Sequence, residues 1–245
     1  MTSSTRKAFL LPIIALLLAC ASVILLLAAG PGYHFGLWHF RTGFAMMKYG
    51  AWLGVAAGVS GCAALMASFR QRVWKAVIIS SLALAIGAAA FAVPYFLKQS
   101  AARVPKIHDI STDTVNPPTF VAVLPLRKDA PNPAEYGGVE IAAKQAEAYP
   151  ELKSLTVGLS PEQAFERALK TAHQMGWKIV AAVPGEGRIE ASDTTFWFGF
   201  TDDIVIRIRP AGTGSKLDIR SVSRVGLSDV GTNARRIRQF MVKFR

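Results

Sequence analysis

The sequence predicts two parts of different class: a three-helix transmembrane region over residues 1–97, and an α+β soluble domain over residues 98–245 built as an antiparallel sheet covered by helices. Three observations predict it. The chain is 51% hydrophobic with a mean hydropathy of +0.31, too apolar for an ordinary soluble domain of 245 residues. Every carboxylate falls between Asp109 and Asp229, so the first part carries only cations. Beyond Tyr149 the pattern changes to one capped amphipathic helix, alternating strands and a closing helix.

Taken in order, the apolar runs Ala8 to Ala29, Tyr49 to Phe69 and Ala76 to Phe96 are each near the ~20 residues that cross ~30 Å of hydrocarbon as a helix. The first is read as a span rather than a signal sequence. "LLAC", Leu17 to Cys20, has the look of a lipoprotein cleavage site, but the apolar run continues past Cys20, where a processed lipoprotein turns polar. Arg6 and Lys7 precede the first helix and Arg70, Arg72 and Lys75 fill the short link between the second and third, which predicts both on the cytoplasmic side. The region after Phe96 is then expected in the periplasm of a bacterium, on the outer face of the inner membrane. Gly50, Gly54 and Gly58 recur every four residues and predict close helix packing within this unit. His34 and His39 share their loop with Tyr33, Trp38 and Phe40, the composition of an interfacial aromatic belt rather than of a ligand pair.

"KQSAARVPK" is expected as a linker, followed by irregular, proline-bearing chain and a helix over Val139 to Tyr149. "SPEQAFERALKTAHQMG" carries Ser160 as N-cap, Pro161 at the first helical position and Gln163 placed to close a capping box, with Ala164, Phe165, Ala168, Leu169 and Ala172 as the buried stripe. Strands are expected over Trp177 to Val183 and Arg188 to Thr194 across the turn "PGEG", and the aromatic run Phe196, Trp197, Phe198 and Phe200 is read as sheet core. "DIVIRIRP" points Ile204, Ile206 and Ile208 to a core and Val205, Arg207 and Arg209 to the other face. A simple hairpin register across "AGTGS" sets Arg207 opposite Asp218 and Val205 opposite Arg220. The final helix, from about Asp229 to Lys243, is expected to bury Val230, Ala234, Ile237, Met241 and Phe244, leaving Arg235, Arg236, Arg238 and Lys243 outward or at the edge.

The tracts "IHDISTDTVNPPTF", "GWKIVAAVPGEGRIEA", "FWFGFTDDIVIRIRP" and "SKLDIRSVSRVGLSDVGTNARRIRQF" resemble the bacterial family called domain of unknown function 1499, and the resemblance covers essentially everything after Arg103. It implies no established activity, so function has to be argued from residues.

From Ile204 to the end there are ten basic residues against Asp218 and Asp229. Arg220, Arg224, Arg235, Arg236 and Arg238 are the candidate anion-binding set, since guanidinium forks suit phosphate or carboxylate and "GLSDVGTN" leads into a helix N-terminus. The competing reading is a salt-bridged frame, with Asp202, Asp203, Asp218 and Asp229 pairing Arg207, Arg209, Arg220 and Arg224. The catalytic alternative is an envelope hydrolase with His108 as acid or base, Asp109 or Asp113 orienting it, and Asp202 and Asp203 as a second pole. Both cysteines, Cys20 and Cys62, lie in apolar runs, no recognised metal spacing occurs, and neither a G-x-S-x-G elbow nor a Walker loop appears in the soluble part. The expectation is an inner-membrane protein whose periplasmic domain binds or scaffolds without catalysis and without metal or cofactor. Its expected partners are the bilayer, anionic lipid or an envelope glycan, and envelope proteins, with no nucleic acid.

Overall fold

The computed structural model describes the backbone from Ser3 and the side chains from Ala8 to Arg245, so the side chains of Arg6 and Lys7 lie outside the described residues. The chain divides into two compact units, one running to Ser100 and including Trp197–Gly199, the other formed by Ala101–Phe196 and Phe200–Arg245.

In the first unit three helices, α1 (Ser3–His34), α2 (Phe40–Arg70) and α3 (Trp74–Ala102), are long and apolar enough to cross a membrane. Their packing inverts the soluble pattern. The buried positions of α2 and α3 are small, Gly43, Gly50, Gly54, Ala57 and Gly61 on α2 and Ala76, Ser80, Ala83, Gly87 and Ala90 on α3. Leu27, Trp52, Val59 and Ile78 face outward. That is the distribution expected where lipid solvates the large side chains and backbones approach through small ones. The glycine row of α2 serves two neighbours. A Cβ on Gly50 would meet Leu26 of α1 at 3.0 Å, whereas one on Gly54 would lie 2.9 Å from the Gly87 carbonyl of α3. Ser22 Oγ donates to the Gly50 carbonyl at 2.6 Å, which satisfies a buried hydroxyl between the two helices. The segment expected as linker is helical through Ala102, because Lys, Gln and Ala extend an already nucleated helix until Pro105 approaches.

The second unit is a six-stranded, wholly antiparallel sheet with two layers over it. The strands are β1 (Asp109–Ser111), β2 (Leu155–Val157), β3 (Lys178–Val183), β4 (Arg188–Thr194), β5 (Thr201–Ala211) and β6 (Gly214–Ser223), ordered β1-β6-β5-β4-β3 with β2 also on β6. The β5–β6 register sets Arg207 against Asp218 and Val205 against Arg220, as alternation requires. Three helices complete the unit: α4 (Gly138–Ala148), α5 (Pro161–Gln174) and α6 (Thr232–Phe244). The α5 capping box forms as expected, with the Gln163 amide donating to Ser160 Oγ and the Ser160 amide to Gln163 Oε1.

One sheet face packs Ile189, Ile204, Ile206, Ile208, Leu217 and Ile219 under α5 and α6. There Trp177 stacks on Phe240 with centroids 5.4 Å apart. The opposite face is buried as well, under the irregular segment between β1 and α4, where Phe120 and Val123 meet Val205 and Val222. Alternation identifies this second face but does not say what covers it.

Two expectations are corrected. The aromatic run is not sheet core, because β4 ends at Thr194 and β5 begins at Thr201. The turn between them closes when the Thr195 amide donates to the Phe200 carbonyl at 2.8 Å, and within it Phe196 is 97% exposed while Phe198 is buried. In α6, Val230 precedes the helix and is exposed, while Arg236 is buried. Phe240 lies one turn beyond Arg236 on the same helix face, so Arg236 is carried inward with the apolar stripe.

Candidate functional site

Because side chains alternate across a strand, the charged residues of β5 and β6 are dealt to opposite faces of the sheet. On the irregular-segment face, Arg220 is 2% exposed and forks onto Asp109, Nε to Oδ1 at 2.9 Å and Nη2 to Oδ2 at 2.7 Å. Its remaining donors reach the carbonyls of Pro118 and Ala134, and its plane lies between Phe120 and Tyr136, 5.2 and 5.4 Å from their centroids. Burial, reinforced by the Asp109 charge and opposed by Arg220, pushes the Tyr136 hydroxyl up to about 12.

Two further groups share that face. Asp203 accepts from Arg127 Nη1 at 2.6 Å, Ser192 Oγ at 2.6 Å and Arg224, Nε at 2.9 Å and Nη2 at 2.8 Å. Burial alone would raise this carboxyl, but the two guanidinium groups and the hydroxyl outweigh it and hold it below the ordinary range. Asp218 accepts from Arg207, Arg209 and Ser154, and Asp113 adds a second carboxylate to Arg207. For Asp113, too, burial is overcome, by the Asn116 and Val115 amides together with Lys216 and Arg207, and its carboxyl lies low. Nearby, Glu190 is fully buried, pairs with Arg188 and accepts from the successive amides of Val121, Ala122 and Val123 at 2.9–3.1 Å. A carboxylate thus fills the concavity that three aligned amides create.

On the helix face, Arg236 bridges Asp193 at 2.8 Å and Asp202 at 2.7 Å and donates to Ser221 and Asn233. Asp229 accepts from the Gly231 and Asn233 amides at 2.8 Å, holding the start of α6. Burial raises its carboxyl despite those amides, with the Asp202 charge adding to the rise. Arg238 reaches Glu151 at the surface and lies over Tyr149, and the Arg235 guanidinium donates to Thr232 Oγ1.

The five candidate arginines therefore do not converge. Arg220 and Arg236 are inside, on opposite faces. Arg224 is committed to Asp203, and only Arg235 and Arg238 stand at the surface. The catalytic set is dispersed in the same way. His108 is half-buried, and its carbonyl accepts from the Ser223 amide and Asn233 Nδ2. Among the described residues no hydrogen bond or ion pair joins its ring to Asp109, Asp113, Asp202 or Asp203. Asp202 and Asp203 point to different faces, each held by arginine. Among the described residues no three His, Cys, Asp or Glu side chains are grouped to share a metal. A shallow depression along α5, lined by Glu166, Leu169, Lys170, His173 and Gln174, collects no such grouping.

Arg127, Glu190 and Asn233 went unrecognised in the sequence. None of them left a signal: Glu190 alternates with Ile189 and Ala191 as a residue on a water-facing strand face would.

The family model described as a protein of unknown function (DUF1499) matches residues 109–244, more than half of the chain and nearly all of the second unit. The chain belongs to this family. No curated protein matches it. The matched span of this family member begins at Asp109, the partner of Arg220, and takes in every ion pair described above.

Proposed function

We propose that this family member is an inner-membrane protein whose second unit lies in the periplasm and works, without catalysis, as a tethered binding or scaffolding module for anionic lipid or other acidic envelope components. The observation that carries the reading is the outer stripe of α6. Arg235, Gln239, Val242 and Lys243 are exposed at helical spacing, Arg245 follows them, and the helix contains no carboxylate. The buried arginines spend their charge on internal aspartates, whereas the cations of this stripe are exposed to an external anion.

The reading is tested on the full chain in proteoliposomes, with an environment-sensitive fluorophore on Gln239→Cys in a Cys20→Ser, Cys62→Ser background. The probe should respond as phosphatidylglycerol replaces phosphatidylcholine, and the response should fade with salt, since exposed charges are screened beyond ~10 Å at 0.1 M. A signal independent of lipid charge sinks the lipid reading. Protease added to intact spheroplasts should remove the second unit; protection until lysis would place it in the cytoplasm.

A further inference from the structure

One end of the second unit carries apolar side chains that its own fold leaves uncovered. Phe196, in the β4–β5 turn, is 97% exposed. Leu227 is 82% exposed and Val230 47%, both in the connection from β6 to α6. These connections lie at the same end of the sheet, because the Arg224 amide donates to the Thr201 carbonyl at 3.0 Å. The loop around Leu227 is built rather than slack. Asn132 Nδ2 donates to the carbonyls of Ser223 at 3.0 Å and Gly226 at 2.9 Å, and the Asp229 amide donates to the Ile107 carbonyl at 3.1 Å. A Phe and a Leu left exposed at one end of the sheet, the Leu on a loop held by hydrogen bonds, mark a contact surface.

The same end receives the chain from α3. Ser228 Oγ donates to the Pro105 carbonyl at 3.3 Å, and the Ser223 amide to that of His108 at 2.9 Å. Leu97 is the last apolar residue before Lys98, and α3 continues to Ala102. Five helical residues and three extended ones reach at most roughly 18 Å to Pro105. That span is comparable with the headgroup layer plus one layer of chain. Along it stand Lys98, Arg103 and Lys106, all exposed. Asp202, Asp203 and Asp229, the carboxylates beside these loops, are taken up by arginines or amides. Cations flanking apolar side chains are the composition of an interfacial membrane contact.

We propose that this end of the domain is a lipid-contact rim, in which Phe196 and Leu227, supported by Val230, enter the headgroup region of the membrane that anchors the chain. The proposal deepens the envelope reading above by naming the surface and the apolar component of the contact. It does not depend on the α6 stripe. It is tested with the full chain in liposomes, in the same cysteine-free background, by single labels on Phe196→Cys, Leu227→Cys and the control Val115→Cys. Val115 is 95% exposed and lies beside the Asp113–Arg209 contact, toward the opposite end of the sheet. Labels at 196 and 227 should shift to the blue and lose intensity to headgroup-borne spin-labelled lipid, while the label at 115 is quenched by aqueous iodide. Loss at 196 and 227 should persist in phosphatidylcholine and at high salt, which separates it from the charge-dependent α6 response. Labels at 196 and 227 that behave as the one at 115 overturn the rim. So does iodide access in liposomes that disappears only in native membranes, which would assign the surface to a protein partner. Tm of each labelled chain, unchanged from the parent, excludes unfolding as the cause.

Discussion

Replacing Asp109 by alanine strands a guanidinium that has no route to water. Arg220 is 2% exposed, sits between two aromatic rings and gives two of its charge-assisted bonds to Asp109. Removing one partner of a buried pair costs about 3–5 kcal/mol, because the survivor keeps its desolvation penalty without the attraction that offset it. For a domain of this size each kcal/mol shifts Tm by roughly 3–5 °C, so the expected fall is about 9–25 °C. The assay is thermal unfolding of the full chain in detergent, followed by protease susceptibility of the second unit. Two comparisons decide the cause. Asp109→Leu combined with Arg220→Met removes both charges, and should lose less than Asp109→Ala alone. Arg235→Ala, at the surface, should lie within about 0.5 kcal/mol of the parent. If Asp109→Ala and Arg235→Ala fall together, or if the double replacement costs the sum of its parts, the buried-frame argument is wrong.

Acid should destabilise the domain through Asp203 and Asp113. Their folded values lie below the unfolded one, so their stabilisation is complete above about pH 4 and is lost as pH falls through the depressed values. Asp229 has the opposite sign, its cost being relieved as pH falls through its raised value. Asp203→Asn should therefore lower Tm at neutral pH and flatten its acid limb; an unchanged limb would remove Asp203 from the account. Glu190→Gln keeps the volume but sets an NH2 against three amide donors, and charged-group hydrogen bonds are worth about 1.5–3 kcal/mol. Hydrogen exchange at Val121, Ala122 and Val123 should speed up before that of β5, and uniform exchange would show that Glu190 does not hold this cover locally. In the membrane unit, Gly87→Val puts a Cβ within 2.6 Å of the Gly54 carbonyl and 2.7 Å of the Gly58 amide. It should lower the yield of folded protein in detergent, while Leu82→Ala, half exposed, should not.

What the sequence by itself determined is what rests on period and on solvent. Helix length and the absence of carboxylates marked the three spans, since hydrocarbon admits neither a short helix nor a stray charge. Strict alternation set the β5–β6 register and the inward isoleucines, because a slip of one residue would turn all of them outward. The α5 cap was legible because its donors and acceptors lie within four residues. The candidate site was legible only as a list of arginines. Their partners, Asp109 for Arg220 and Asp193 for Arg236, lie 111 and 43 residues away along the chain. Whether a guanidinium is a ligand fork or a buried tie depends on which carboxylate the fold brings beside it, and how deep. Only tertiary packing decided that, of the irregular segment over one face of the sheet and of α6 over the other, because burial raises the cost of an unpaired charge until pairing is obligatory.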